Sequence, residues 1–380
     1  MKDIRRANRL SIGFAYNLKP TDGALSSPGA SSPPYPAPRS TSQQPLRSLS
    51  ASNGRAGKVV FEDTYAEWDD ESTIAAIEAA LSKAGDVIRL EADFDFPARL
   101  RAANPDIVFN FAEGVGGPSR ESHVPAFCEF WGIPYTGSDP LTLGICLDKA
   151  RTKETLMHHG IPTPEFQVVE CPSDVRRSLA LPAVVKPLHE GSSKGITQRS
   201  YCTSWAEVDS EVAQLVERYG EPAIIERFLG GREFTVAVLG NDGDGRALPI
   251  VELDFDTLPN GSSRIYGYEA KWVWDRPEKP LDIFQCPARC SPELQRRIEE
   301  IAMAAFRTLR CRDWARIDVR CDEDETPHIL EVNPLPGVLP DPAANSCYPK
   351  AARAAGLSFD EVILAVLRAA TARYGLRVSS

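Results

Sequence analysis

The fold prediction starts from two stretches near the C-terminus, Trp314-Ala315-Arg316-Ile317-Asp318-Val319-Arg320 and His328-Ile329-Leu330-Glu331-Val332-Asn333-Pro334. Apolar and polar residues alternate in both, and a polar turn joins them, so they predict a β-hairpin. Alternation places Asp318 on the polar face of the first strand, and Ile329, Glu331 and Asn333 together on one face of the second. Oxygen ligands on adjacent strands suit Mg²⁺, although a solvated, inert hairpin edge explains these two segments equally well.

Length and charge narrow the class of protein. The chain has 380 residues, which favours two or three domains over one core. Its net charge of −10 argues against a nucleic-acid partner. No apolar run has the length of a signal peptide or a membrane span, which predicts no membrane partner. The nine cysteines lack zinc or redox spacing, so we expect free thiols and a cytoplasmic protein.

The first 140 residues alternate strands with helices, which predicts a parallel sheet with helices on its faces. The predicted strands are 11–16, 87–90 and 107–111, and the predicted helices are 71–83, 97–103 and 119–130. Residues 21–57 are rich in Ser, Pro, Ala and Gly and predict a disordered insertion.

A second unit contains a lysine-bearing strand (183–186), a Ser/Gly loop (190–195), a helix (204–218) and a strand (223–226). Such a loop lets backbone N–H groups approach phosphate oxygens, but a hairpin loop with a solvated lysine explains it as well. In the last unit, 232–239 and 249–253 predict paired strands and 266–272 a loop. The remaining predicted helices are 148–159, 292–309, 348–355 and 359–373.

In this order, the motifs resemble the D-alanine–D-alanine ligases of the ATP-grasp superfamily. They are Gly132-Ile133-Pro134-Tyr135-Thr136-Gly137-Ser138, Leu147-Asp148-Lys149, Val185-Lys186-Pro187, Glu190-Gly191-Ser192-Ser193, Arg232-Glu233-Phe234-Thr235-Val236, Tyr268-Glu269-Ala270-Lys271, Arg316-Ile317-Asp318-Val319, Glu331-Val332-Asn333, Pro336-Gly337 and Ala351-Ala352-Arg353-Ala354-Ala355-Gly356. The match runs from about residue 106 to 373. The resemblance implies an α/β (α+β) ATP-grasp fold. Its parts would be an N-terminal parallel α/β domain (1–140), a small central domain (141–228) and a C-terminal antiparallel-sheet domain (229–380).

The resemblance also assigns roles to individual residues. Lys149 and Lys186 would hold the α- and β-phosphates of ATP, and Lys271 the γ-phosphate. The adenine would lie beside Glu226, Arg227, Phe228 and Leu229, the ribose beside Glu233, and the loop with Glu190, Ser192 and Ser193 would close over the phosphates. Asp318, Glu331 and Asn333 would bind two Mg²⁺ ions, with Mn²⁺ as a substitute. The implied catalytic residues are Arg316, Lys271, Ser192 and Gly337.

The resemblance implies an ATP-dependent carboxylate–amine ligase, with small amino acids as partners and a homodimer as a family habit. Each charged residue also has a plainer interpretation: Lys149 as a surface lysine, Glu233 as an exposed strand residue, Arg316 as a structural ion-pair partner.

The chain departs from the family pattern in the regions that recognise substrate. The usual Gly-Gly-x-Ser start is replaced by 12–17. Among the acidic residues that follow, Glu67 is a guess for the one that binds the ammonium group of the first substrate. The alternative interpretation is that these acids form a solvated helix N-terminus. Residues 110–117 replace the family's usual His-Gly turn. Trp272 replaces a common Tyr and lacks its hydroxyl. Ser346 falls where the family places a serine on the second substrate's carboxylate. Two alternatives remain open: a ligase for a different amino acid, hydroxy acid or peptide, and a catalytically silent ATP-binding regulatory module.

Overall fold

The computed structural model describes residues 9–20, 63, 65–241, 243–275 and 280–376, so the predicted insertion at 21–57 lies outside the described residues. The N-terminal part is a parallel three-stranded sheet in the order β2-β1-β3, as predicted. Phe14 and Ala15, neighbours on β1, are buried in separate cores on its two faces. The elements are β1 (Leu10–Tyr16), α1 (Glu71–Leu81), β2 (Gly85–Glu91), α2 (Phe96–Ala103), β3 (Ile107–Phe111) and α3 (His123–Trp131).

The central part is an antiparallel sheet in the order β4-β7-β5-β6, covered by one helix. The apolar face of that helix, with Val208, Val212 and Leu215, is buried against the sheet. Two helices precede the sheet, and the first of them has no counterpart among the sequence predictions. The elements are α4 (Pro140–Leu147), α5 (Lys149–His158), β4 (Phe166–Val169), β5 (Ala183–Pro187), β6 (Tyr201–Cys202), α6 (Trp205–Tyr219) and β7 (Ala223–Arg227).

The C-terminal part is a second antiparallel sheet, with strand order β11-β10-β8-β12-β13 and β9 paired with β8. Leu294 and Ile298 of α7 pack on one face of it, in a core that also holds Leu156 of α5. Tyr348 packs in another core and donates a 2.9 Å hydrogen bond to the Val238 carbonyl. The elements are β8 (Glu233–Leu239), β9 (Arg246–Ala247), β10 (Val251–Leu253), β11 (Phe284–Gln285), α7 (Pro292–Thr308), β12 (Trp314–Cys321), β13 (Pro327–Asn333), α8 (Cys347–Ala354) and α9 (Phe359–Arg373).

The predicted hairpin is β12 and β13, but it contains a β-bulge that alternation alone does not reveal. Asp318 lies opposite Glu331, whereas the next residue, Val319, lies opposite Ile329, so Leu330 is the extra residue. The prediction that Ile329 shares a face with Glu331 is therefore wrong. Ile329 is fully buried in the core, while Glu331 lies on the wall of a cavity.

A second difference concerns residues 266–272, which were predicted to form a loop. Part of this segment is helical, because Glu269–Trp274 form a short π-helical turn. Among the described helices, none combines the length and the apolar character needed to cross a membrane.

Candidate active site

One cavity of about 750 Å³ is lined by residues of the N-terminal, central and C-terminal parts of the chain. All of the residues singled out in the sequence lie on its wall: Glu67, Lys149, Lys186, Glu190, Ser192, Ser193, Glu226, Arg227, Phe228, Leu229, Glu233, Lys271, Arg316, Asp318, Glu331, Asn333, Gly337 and Ser346. Residues that are up to 279 positions apart in the chain are thus brought around one volume of the size of a small-molecule site.

The three predicted metal ligands are held together by the hairpin. Asp318 accepts hydrogen bonds from the Thr235 hydroxyl (2.8 Å) and the Asn333 amide (3.3 Å), and from Arg316 (2.9 Å). Glu331 lies opposite Asp318, with its carboxylate 3.5 Å from Lys149 Nζ. Burial acts to raise the pKa of Glu331, but the nearby cations, Lys149 first, bring it below its ordinary value. Glu331 is therefore ionised, as a metal ligand must be.

This donor set fits Mg²⁺. The described residues contain no group of three or more His, Cys, Asp or Glu side chains arranged for a metal. The Asp318–Glu331–Asn333 set instead has two carboxylates and one side-chain amide, and each of the three can bind a cation through oxygen. Mg²⁺ is usually bound by one or two carboxylates and completes its octahedral shell with water and substrate phosphate oxygens.

Two lysines share one buried carboxylate beside this set. Lys186 Nζ is 2.6 Å from Glu226 Oε2, and Lys153 Nζ is 3.1 Å from Glu226 Oε1. Burial favours the protonated carboxyl, yet the two lysines lower the pKa of Glu226 to about 2. Lys149 is also buried and donates to the Glu190 carbonyl, so its interpretation as a surface lysine is wrong. Lys153 was not predicted, although it is four residues after Lys149 and therefore on the same face of α5.

The segment after β7 forms the side of the cavity predicted for adenine and ribose. Arg320 lies 4.4 Å from the centroid of the Phe228 ring, and its Nε donates to the Leu229 carbonyl at 2.6 Å. The same guanidinium donates to Glu233 at 2.6 Å, so Glu233 is paired rather than freely exposed. Arg320 is two residues after Asp318 in β12, and no role was predicted for it.

Glu67 anchors the Ser/Gly loop from the N-terminal part. Its carboxylate accepts the Gly191 N–H at 2.8 Å and two hydrogen bonds from Arg120, at 2.7 and 2.9 Å. Burial opposes its charge, but Arg120 and Lys194 lower the pKa of Glu67 to about 2. A solvated helix terminus is therefore the wrong interpretation of Glu67. A Cβ at Gly191 would lie 2.6 Å from Glu67 Oε1, which explains the glycine.

The π-helical turn carries Lys271 and Trp272 against the same loop. Lys271 Nζ donates to the Ser192 hydroxyl, and the Trp272 indole N–H donates to the Ser192 carbonyl, both at 3.3 Å. Trp272 thus reaches the loop although it lacks a hydroxyl. Burial and the nearby Arg316 charge lower the pKa of Lys271 to about 8.

Known proteins are similar to this chain in sequence. A family model described as "D-ala D-ala ligase C-terminus" matches residues 156–368. The D-alanine–D-alanine ligase of Bordetella avium is 34% identical over 303 residues, which are 79% of this chain and 89% of that protein. The chain belongs to the D-alanine–D-alanine ligase family. The resemblance drawn from the motifs is confirmed, and the enzyme is an ATP-grasp ligase.

Two further matches extend the family comparison. A Sinorhizobium fredii protein named "Uncharacterized protein y4sG" is 34% identical over 317 residues, 81% of this chain and 90% of that one. The crystal structure of a Bacillus anthracis D-alanine–D-alanine ligase complexed with ATP has a TM-score of 0.65 at 20% identity and covers 96% of this chain and 98% of that chain. It confirms the predicted ATP-grasp fold.

Ser346, predicted for the second substrate, and three acidic residues that were not predicted also lie on the wall of this ligase's cavity. Ser346 accepts the Leu339 N–H at 3.2 Å. Asp69, Glu113 and Glu121 also line the cavity, and none of them forms a side-chain hydrogen bond or ion pair with another described residue. Burial is the largest cause that raises the pKa of each of these three carboxyl groups. The pKa reaches about 8 for Asp69 and for Glu121. Glu113 belongs to the segment that replaces the family's His-Gly turn, which was the available signal.

Proposed function

We propose that this enzyme joins two small amino acids into a dipeptide through an acyl phosphate, with release of ADP and phosphate. Two D-alanines are the leading substrate pair, because the Bordetella avium relative is named D-alanine–D-alanine ligase. The observation that carries the proposal is the single cavity that combines three lysines, the Asp318–Glu331–Asn333 set and Arg316. The same set disfavours a catalytically silent module, since no phosphate lysine or metal ligand is missing.

The cations of the cavity suit phosphoryl transfer. A carboxylate is a poor electrophile, and a γ-phosphoryl group from ATP converts it to an acyl phosphate that an amine can attack. Such a transfer mainly requires positioning and positive charge around the phosphates. Lys149 and Lys186 would hold the α- and β-phosphates, and Lys271 the γ-phosphate. When bound by Asp318, Glu331 and Asn333, two Mg²⁺ ions, or Mn²⁺, would neutralise phosphate charge.

Other residues of this wall would bind and enclose the substrates. Arg316 and the Gly337 N–H are suited to stabilise the oxyanion that forms when the amine attacks. Ser192 contacts Lys271, so closure of the 190–195 loop and placement of the γ-phosphate would occur together. Adenine would be surrounded by Glu226, Arg227, Phe228 and Leu229. The carboxylate of Glu233 would accept hydrogen bonds from the ribose hydroxyls. Ser346 would contact the carboxylate of the second substrate.

The unpaired acids favour a second candidate, in which the first substrate is an amino acid other than D-alanine. Glu67, the residue guessed for the ammonium, already has Arg120, Lys194 and the Gly191 N–H around it. Asp69, Glu113 and Glu121 remain for a cationic substrate group. A carboxyl group whose pKa is raised by burial gains strongly from a new cation, so a diamino acid would suit this end of the cavity.

The proposed setting follows from the product. A D-alanyl-D-alanine product would serve peptidoglycan synthesis for the cell wall, in the cytoplasm, where ATP is available. A homodimer would agree with the family habit, and neither nucleic acid nor a membrane is needed by this chemistry.

A substrate panel tests the proposal. Phosphate release from Mg-ATP is measured with D-amino acids, L-amino acids, diamino acids and D-lactate, and the products are identified by mass spectrometry. We expect ADP and a dipeptide with at least one pair, and no turnover in Lys186→Ala or Asp318→Ala. Binding of Mg-ATP without turnover on any pair would remove the ligase proposal for these substrates.

A further inference from the structure

Lys153 is a cation behind the cavity wall that the roles above do not use. Its side chain is only 1% exposed. The ammonium is 3.1 Å from Glu226 Oε1 and donates to the Leu330 carbonyl at 2.8 Å. A fully buried lysine is costly unless its charge is paired and its donors are satisfied. Both of its partners, Glu226 and Leu330, lie on the cavity wall.

The contact with Glu226 affects the charge available to phosphate. Glu226 binds Lys186 through one oxygen and Lys153 through the other. With one lysine, the carboxylate would form a neutral pair and compete with phosphate for the Lys186 ammonium. With two lysines, the trio has a net charge of +1, which leaves positive charge on the cavity side, where Lys186 lies on the wall.

The contact with Leu330 affects the metal-binding strand. Leu330 is the extra residue of the bulge, so its backbone groups lack a regular ladder partner. A buried carbonyl needs another donor, and Lys153 supplies one. The neighbouring Ile329 N–H donates to the Pro162 carbonyl at 2.8 Å, just beyond the end of α5. The bulge that directs Glu331 into the cavity is thus held from the α5 side.

We propose that Lys153 is a positioning residue for Mg-ATP, which sets Lys186 through Glu226 and sets Glu331 through the Leu330 carbonyl. One residue of α5 thereby joins the phosphate-binding strand β5 to the metal-binding strand β13. The inference depends on the proposed function, since it assumes that Mg-ATP occupies this cavity.

The test compares two variants of the same helix. Lys153→Met keeps the length of the side chain and removes its charge and donors. The control is Thr152→Val, which removes a different contact of the same helix, the 2.8 Å hydrogen bond from the Thr152 hydroxyl to the Ile145 carbonyl. Calorimetry measures the Kd of a non-hydrolysable ATP analogue at several Mg²⁺ concentrations, and thermal unfolding is recorded for each protein.

For Lys153→Met we expect a Kd that rises about tenfold, which is about 1.4 kcal/mol, with the largest rise at low Mg²⁺. Thr152→Val should stay within about twofold of the wild type even if its Tm falls, because neither Thr152 nor Ile145 lies on the cavity wall. A Lys153→Met Kd within about twofold of the wild type would overturn the inference.

If Lys153→Met does not fold, Lys153→Gln provides the same comparison, since it keeps a donor for Leu330 but not the charge. A rise of about threefold to tenfold in Kd is then expected, because only the charge beside Glu226 is lost, and an unchanged Kd overturns the inference. A wild-type protein that binds no Mg²⁺–analogue complex would instead contradict the proposed function itself, so the two failures are distinguishable.

Discussion

Lys271 gives a pH-dependent test of the proposed γ-phosphate site. Burial and Arg316 lower the pKa of Lys271 to about 8. A lysine keeps its proton below its pKa and loses it above, so the cavity loses one positive charge as the pH rises from 7 to 9. With a pKa of about 8, the protonated fraction falls from roughly nine-tenths to roughly one-tenth. If only the cationic form binds the γ-phosphate, the Kd for Mg-ATP should rise about tenfold over this interval.

The measurement uses a non-hydrolysable ATP analogue, because the amine substrate of the full reaction titrates in the same range. Asp69 and Glu121, whose pKa values are also about 8, become negative over the same interval and add repulsion of their own. Lys271→Arg separates the two causes, since an arginine stays charged throughout. We expect most of the pH dependence to disappear in this variant. An equal slope in the wild type and in Lys271→Arg would refute the reasoning and assign the effect to the carboxyl groups.

Three further changes test the site at separate points. Asp318→Ala should reduce ATP turnover at least about a hundredfold by loss of a metal ligand. Asp324→Ala, in the exposed turn of the same hairpin, should leave turnover unchanged, and equal losses in the two would contradict the metal role. Glu67→Gln should destabilise the fold by about 3 kcal/mol, because Arg120 stays buried without its main partner. It should also speed trypsin cleavage at Lys194, and an unaltered Tm and cleavage rate would exclude the anchoring role of Glu67. Trp272→Phe should raise the KM for ATP about fivefold through the lost hydrogen bond to the Ser192 carbonyl, and an unchanged KM would show that this bond does not hold the loop.

Local patterns in the chain were sufficient for most of the architecture. Ile74, Ile77 and Leu81 recur at helical spacing and are all fully buried in α1. Alternation in β12 likewise places Ile317 in the core and Arg316 on the cavity wall. Such patterns are informative because burying one apolar face is the main stabilising contribution for an amphipathic element. The ordered motifs predicted the family, and with it the residues that meet in the cavity.

Several decisive contacts have no local signature. The bulge at Leu330 shifts the register by one residue, so strict alternation assigns Ile329 to the wrong face. The pairing of Arg320 with Glu233, and of Glu67 with Arg120, joins residues 87 and 53 positions apart. Whether a charged side chain is solvated or paired is determined by what the rest of the chain packs around it.

The order of charged and apolar residues along this chain therefore determined its elements, their sequence and the chemistry of the site. Tertiary packing alone decided which charges are buried together, as with Lys153, Lys186 and Glu226. The physical reason is that hydrophobic periodicity acts over a few residues, whereas the energy of a buried charge depends on its nearest cations, anions and donors, which come from distant parts of the chain.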